Sequence, residues 1–389
     1  MTAVDAMPQH RPDPFDPPAD LTDPERDPVR RMRYADGHLG WLVTGYEQAR
    51  AVLADPRMSV RPELAHQPDS QPTNLTVPAG FFLRMDPPQH ERYRRLLTGR
   101  FTVRRIRALE PGITAIVDEA LDSLAAAGSP ADLVSTYALP IPSLVICELL
   151  GVPYADRGGF QRDSARMLNL QAPAADRNAA VGSLLAYLSE LVADKRRTKP
   201  DDLLGDLAAS GAVTDEELAG IALLLLLAGH ETTANMIAHA TFALLQRPEQ
   251  LALLRDDPDR AAGAADELLR HLSVLYLVLR TATADLELDG HAIRAGETVT
   301  VSLAAANRDA GRFPGPDALR LDRDATGHLA FGHGIHQCLG QQLARTELRI
   351  ALPALLRRFP GLRLAVPAED VPMRTEMAVY GVHRLPVAW

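Results

Sequence analysis

Residues 331–340 read Phe331-Gly332-His333-Gly334-Ile335-His336-Gln337-Cys338-Leu339-Gly340, three glycines crowded around one cysteine, and a helical pattern over 339–358 follows at once. Glycine permits a tight turn and a close approach of backbone to a flat ligand. A helix N-terminus stabilises negative charge, so the Cys338 thiol is expected to ionise below its ordinary value of about 8.5. A thiolate is the ligand an iron centre needs if dioxygen is to be split rather than carried, and backbone amides near Gly340 would tune it by donating to the sulfur. For an isolated Gly-x-x-Cys, a buried structural cysteine beside a flexible loop explains the same residues.

A second constellation, Ala228-Gly229-His230-Glu231-Thr232-Thr233, lies inside the most hydrophobic stretch of the chain. A carboxylate there is expensive unless it is hydrogen-bonded or used. Gly229 weakens a helix, and the Thr232 hydroxyl can bond back to the carbonyl one turn earlier, which bends it and leaves room for a small molecule. An acid next to an alcohol can relay protons to a reduced oxygen species. Taken alone, the pattern also fits a polar patch where a helix meets solvent. At helical spacing Leu224, Ala228 and Asn235 are expected to share a face and line a pocket, with His230 one step off it in a structural role.

The elements that must position these residues are mostly helical. Thr214 with Glu217 forms a capping box for a helix to Leu245 that is apolar on nearly every face and so buried all round. Helical patterns also cover Glu47 to Ala54, Ile113 to Leu124, Val181 to Val192, 258–273 and 339–358, the last kinked at Pro353 and ending before Pro360. Trp41 to Thr44 reads as a strand. From Asp285 to Leu303 the period changes to two, with turns at Asp289-Gly290 and Ala295-Gly296. Residues 62–82 read as a long loop. Residues 8–28 hold seven prolines, so 1–38 is expected to be irregular and 39–389 a single domain. The fold class is mainly α with a small β region.

Composition excludes several functions. The 389 residues are 46% hydrophobic with a net charge of -9, which does not suit nucleic acid. Two cysteines make no disulfide framework. The apolar run Ile221 to Gly229 is about half the roughly 20 residues that span a bilayer, and the first twenty residues lack a leader pattern. A soluble cytoplasmic protein with no membrane contact is expected.

The ten-residue loop resembles the haem-binding loop of cytochromes P450, Phe-x-x-Gly-x-x-x-Cys-x-Gly, and the second constellation resembles that family's Ala/Gly-Gly-x-Asp/Glu-Thr-Thr element. Glu267 and Arg270 match its Glu-x-x-Arg pair, with Asn307-Arg308-Asp309 and Phe313 as the partner segment. The resemblance runs from about Leu39 to Trp389. It implies an all-helical prism around a buried haem b (protoporphyrin IX iron), with Cys338 as axial ligand and Phe331, Gly332 and Gly340 shaping the loop. His90, Arg94, Arg280 and His336 would hold the propionates, Glu231 and Thr232 would relay protons, and Glu267 with Arg270 would brace the fold. The implied activity is a monooxygenase that inserts one atom of O2 into a largely apolar small molecule, by hydroxylation or epoxidation.

No fused flavin or iron–sulfur segment is evident, so electrons are expected from a ferredoxin and its NAD(P)H-dependent reductase. Arg92, Arg95, Arg100, Arg104, Arg105 and Arg107 would steer the ferredoxin. A monomer is the family's usual form. Besides Leu224, Ala228 and Asn235, the substrate would meet Val77, Phe82, Leu277, Val278 and Val379. By family analogy the reaction is a late tailoring step on a macrolide or other polyketide, with cyclic peptides and terpenoids open. A peroxygenase and a non-catalytic haem-containing recruitment module are the rivals; the acid–alcohol pair speaks against the first and Cys338 against the second. Glu231 replaces the commoner Asp, and 273–280 lacks the proline many members carry.

Overall fold

The structure, a computed structural model, describes residues 5–68 and 77–389. In chain order the helices are α1 (Ala19–Thr22), α2 (Tyr46–Ala54), α3 (Gln89–Thr98), α4 (Val103–Ala127), α5 (Pro140–Leu150), α6 (Arg157–Leu168), α7 (Ala174–Thr198), α8 (Leu203–Ser210), α9 (Asp215–Leu245), α10 (Pro248–Asp256), α11 (Ala261–Leu272), α12 (Leu303–Ala306) and α13 (Gln341–Arg358). The strands are β1 (Val29–Arg33), β2 (Leu39–Val43), β3 (Met58–Ser59), β4 (Ala131–Asp132), β5 (Leu277–Ala282), β6 (Leu286–Leu288), β7 (His291–Ile293), β8 (Thr298–Ser302), β9 (Arg363–Leu364) and β10 (Pro386–Ala388). The expected class, mainly α with a small β portion, is the observed one. Contacts divide the chain into two compact units, the first made of 1–74, 84–86 and 266–339 and the second of 75–83, 87–265 and 340–389.

The first unit is built on a sheet in the order β1-β2-β8-β5-β3. β1 and β2 form an antiparallel pair, β2 runs parallel to β8, and β8 antiparallel to β5. Strand β1 departs from the irregular course expected over 1–38. Its residues alternate between sheet faces, and Val29 and Met32 are both buried. The prolines stop at Pro28, so the donors of β1 are available for pairing. The β6–β7 hairpin turns at Asp289 and Gly290, with φ of 52° and 77°, the two positive values a type I′ turn demands.

A buried ion pair ties the unit together. Glu267 and Arg270, one turn apart on α11, are both wholly buried. Arg270 donates from Nε and Nη2 to the two Glu267 oxygens at 2.7 and 2.8 Å, and from Nη1 to the Asn307 and Pro316 carbonyls. Glu267 also accepts from the Arg320 amide and the Arg323 guanidinium at 3.0 and 3.2 Å. Asn307 then accepts from the Leu329 amide at 2.6 Å and donates to Ser273. The network therefore ends two residues before Phe331.

The second unit is built around α9. Thr214 caps it, and the Thr214–Glu217 capping box is closed on both sides. The helix buries residues on every face, and α5, α7, α8, α10 and α13 pack against it. It is long and apolar enough to cross a membrane, yet 83% of its most apolar window is already covered by protein, so that surface has its hydrophobic partner. The Glu217 carboxylate also leaves the helix: Arg92 donates to it at 2.6 Å and Tyr93 at 2.7 Å. The helix expected over Ile113 to Leu124 starts ten residues earlier and runs through Pro111. Pro111 is on the exposed side of α4, where water can take up the carbonyl it leaves unbonded. Residues 62–82 are partly structured, with short 3-10 turns at Pro62–Leu64 and Phe82–Arg84; 69–76 lie outside the described residues.

Replacing Glu267 with Gln leaves Arg270 buried beside a neutral partner. The expected loss is about 3–5 kcal/mol of unfolding free energy, measured by chemical denaturation. A loss within 1 kcal/mol would show that the pair does not brace this unit.

Candidate active site

In the first unit the cysteine loop is drawn by its own backbone. The Gly332 amide donates to Leu329 at 2.8 Å, the Gln337 amide to Gly334 at 3.0 Å and the Cys338 amide to Phe331 at 2.9 Å. Gly332 and Gly334 have φ of 68° and 74°, values side chains resist. At Gly334 a β-carbon would also collide with the Leu53 carbonyl oxygen. Cys338 is exposed on this loop, whereas Cys147 is buried and its thiol is pushed up to about 12 by burial. Of the two, only Cys338 is placed to offer a thiolate. Phe331, Gly332 and Gly340 are half-buried, with Phe331 against His328, and His336 ends the 3-10 turn Gly334–His336.

Arg280, on β5, is 7% exposed and donates from Nη1 to the neighbouring Leu279 carbonyl at 2.8 Å. Burial first, and the like charge of Arg84 second, push its pKa down to about 10, against the pull of Asp86. Asp86 is itself engaged by Ser59 and the Val60 amide. Among the described residues no carboxylate pairs with Arg280, so a buried cation there fits an anionic ligand group. Leu277 packs against the cluster of Met7, Leu21, Met32, Tyr34, Leu42 and Ala305, and Val278 against the other cluster of this unit.

In the second unit α9 presents two sides. Ala228 is exposed and Gly229 and Thr232 are half-buried within a stretch, Leu218 to Leu244, that is otherwise buried. Thr232 donates to the Ala228 carbonyl at 2.9 Å, the back-bond its position predicts. Gly229 makes room for Ile146 of α5, which a β-carbon would strike. Glu231 points elsewhere. It is 4% exposed and accepts from Arg374 Nη2 at 3.1 Å. Asn235, one turn on, donates to the Glu231 carbonyl and accepts from Arg374. Asn235 was expected to share the open face with Ala228; it turns to Arg374 instead, because the Glu231 backbone carbonyl and the Arg374 guanidinium satisfy its amide there. Gly381 packs so tightly on Asn235 that a β-carbon would not fit.

His230 is wholly buried, its ring edge-on to Phe160. Its Nδ1 lies 2.6 Å from the Leu226 carbonyl, so Nδ1 carries the proton and Nε2, 3.7 Å from Glu231 Oε1, does not. Burial chiefly, with Arg374 adding, lowers its pKa and keeps it neutral. His90 is buried on α3 near the Phe82 ring, with Arg94 one turn further and half-buried. Leu224, Phe82 and Val379 are buried and Val77 is half-buried.

Sequence reasoning missed Arg374. It lies in an irregular segment between Val371 and Pro386, where no period marks a partner. The sole clue was Glu231 itself, a buried carboxylate that required a cation.

The residues present fit a haem. Cys338 offers a soft anionic ligand on a loop shaped by glycines, Arg280 an unmatched cation for a propionate, and Ala228 and Thr232 an open patch on a closed helix. Replacing Arg374 with Met strands the Glu231 charge, and the expected cost is about 3 kcal/mol of unfolding free energy. Adding Glu231→Gln should recover most of it; a double variant no more stable than Arg374→Met would show that the pair is not what holds this segment.

The cytochrome P450 family profile matches residues 187–386. A curated relative, cytochrome P450 105C1 from a Streptomyces species, is 52% identical over 378 residues, covering 96% of each chain. The crystal structure of CYP105P1 in complex with filipin I superposes with a TM-score of 0.96 at 43% identity, covering 100% of this chain and 99% of that one. The mycinamicin VIII C21 methyl hydroxylase MycCI from Micromonospora griseorubida, bound to mycinamicin VIII, superposes with a TM-score of 0.92 at 38% identity over 100% of both chains. With the cysteine loop and the Glu231–Thr232 helix in place, these likenesses over the full chain establish that the protein belongs to the cytochrome P450 family, haem-dependent monooxygenases with relatives that tailor natural products.

Proposed function

We propose that this protein oxidises a largely apolar natural product, a macrolide or related polyketide, by hydroxylation or epoxidation, with 39–389 acting as one catalytic domain. The observation that carries this reading is the open patch of Ala228, Gly229 and Thr232 on a helix that is otherwise buried from Leu218 to Leu244. A sealed helix opens where something must reach it. One structural relative holds filipin I and another, a mycinamicin VIII hydroxylase, holds mycinamicin VIII, and those likenesses support the substrate class.

Haem, when bound, supplies the activation of dioxygen. The chain supplies the thiolate, the propionate partners and the protons. Cys338 would hold the haem iron through its thiolate; Arg280, with His90, Arg94 and His336, would hold the propionates. The Thr232 hydroxyl holds a proton at Oγ1, spent on the Ala228 carbonyl until a better acceptor arrives. Glu231 would replenish it, and to do so its carboxyl group must leave Arg374. His230 beside it is neutral and offers the carboxylate no charge to compete with Arg374. Leu224, Phe82, Val77 and Val379 would add apolar surface.

Electrons are assigned to a ferredoxin and its NAD(P)H-dependent reductase. The basic cluster is smaller than the sequence suggests, because Arg92 pairs with Glu217 and Arg100 with Asp206. Arg95, Arg104, Arg105 and Arg107 are the exposed cations left to steer an acidic partner. A cytoplasmic monomer fits this supply of soluble reductant.

Thr232→Ala should lower coupling, with more NADH lost to peroxide, while the reduced carbon monoxide spectrum keeps the red-shifted Soret band of a thiolate ligand. Unchanged coupling would remove Thr232 from the relay, and a histidine-type band that survives Cys338→Ser would overturn the ligand assignment. Reversing the charge at Arg104 and Arg105 together should slow ferredoxin-dependent reduction about tenfold at low salt and less at high salt; an unchanged rate and salt slope would place the docking surface elsewhere. Binding titrations with 12- to 16-membered macrolides test the substrate class, and the absence of any spectral shift across such a panel would count against it.

A further inference from the structure

Among the described residues four arginines are buried, Arg177, Arg270, Arg280 and Arg308; Arg270 and Arg308 are met by acids, as are the half-buried Arg323 and Arg374. Arg270 and Arg323 meet Glu267, Arg308 meets Asp16 and Asp317, and Arg374 meets Glu231. Arg280 is an exception that a haem propionate accounts for. Arg177 is a second exception, and nothing above accounts for it.

Arg177 stands in the first turn of α7 and is 8% exposed. Its Nε donates to the Met167 carbonyl at 3.2 Å. Among the described residues it has no other hydrogen bond and no carboxylate within ion-pair distance. Burial is what lowers its pKa, with no nearby acid acting against it. The site is unfavourable twice over, because a cation at a helix N-terminus also faces the positive end of the dipole. The acids on the surrounding elements are committed or turned away: Asp163 of α6 bonds Ser183, Glu376 bonds His383, and Asp176 is exposed. Since Nε is used, the Nη1–Nη2 end remains, which is the fork that grips a carboxylate with two parallel bonds.

The neighbourhood joins Arg177 to the proton-relay side of α9. Met167, its acceptor, is followed by Leu168, whose carbonyl accepts from the Ala378 amide at 3.0 Å, and the Leu170 amide donates to Glu376 at 2.9 Å. Asn169 bridges to Met377. The same 374–381 segment carries Arg374 to Glu231. Arg177 thus belongs to the layer that the α6–α7 connection and this segment build next to α9.

We propose that Arg177 is a substrate-binding residue that grips a carboxylate on the substrate, so that the protein takes an apolar body bearing one acid group. This rests on the monooxygenase reading and narrows its substrate class. A neutral ligand would leave the guanidinium buried without a counter-charge.

The test uses the haem-loaded protein with dodecanoate and abietate, each beside its methyl ester. Affinity is read from the Soret shift and, independently, from the shift in unfolding temperature. The wild type should bind at least one acid about ten- to a hundredfold more tightly than its ester, the range expected of a charge-assisted pair. Arg177→Gln should erase that preference and Arg177→Lys restore part of it. Without ligand, Arg177→Leu should melt no lower than the wild type, because it removes an unmatched buried charge. Equal affinity for acid and ester, no binding of either acid, a preference that survives Arg177→Gln, or a ligand-free Arg177→Leu protein that melts several degrees lower would each overturn the proposal. The reduced carbon monoxide spectrum, recorded on every variant, separates these failures from a failure of the haem-thiolate reading.

Discussion

Charge removed from water is the constraint that orders much of this protein. A wholly buried guanidinium tolerates no idle donor, and Arg270 obeys by drawing Glu267, Asn307 and Pro316 to itself from three separate stretches of chain. Each partner then fixes a neighbour: Glu267 holds the Arg320 amide and Asn307 the Leu329 amide. Remove the requirement that this charge be met, and residues 316 and 320 lose the contacts that hold them to α11. The loop around Cys338 starts immediately after Leu329, so the reactive cysteine hangs from a frame that electrostatics assembles.

The same constraint acts on α9 with a different outcome. Glu231 and Thr232 are adjacent in sequence yet stand about 100° apart around the helix, and the structure uses that angle. Thr232 shares the open side with Ala228, while Glu231 is drawn toward Arg374. A direct transfer between them requires a side-chain rotation and the loss of an ion pair. Under the proposed relay, proton delivery is thereby tied to the segment that carries Arg374, which is itself hydrogen-bonded to the α6–α7 connection.

Local features were legible in the sequence because their causes are local. The Thr214–Glu217 capping box, the Asp289-Gly290 turn and the Glu267–Arg270 spacing each involve residues at most four apart, and all three stand as expected. The cysteine loop was legible for a similar reason, since the conformations of Gly332 and Gly334 are written in their residue type. What escaped was settled at long range. Asn235 lies on the helix stripe predicted to face a ligand, yet Arg374, 139 positions away, claims its side chain. Leu277 and Val278 pack against the clusters of their own unit and stay half-buried. Pro111 looked like a boundary, but its exposed position let α4 run through it.

The Glu217 carboxylate has a consequence for the order in which the protein comes apart in acid. Arg92 first, then the Thr214 amide and Tyr93, hold it down to about 2 from an ordinary value near 4.5. A carboxylate so depressed adds stability that is whole above its unfolded value and is lost only as pH falls through the folded one. The start of α9 is thus fastened to α3 by a clasp that stays ionised after ordinary surface carboxylates have taken up protons. On acidification this junction should keep its ion pair, and the stability that the pair contributes, at pH values where ordinary surface carboxylates are already neutral.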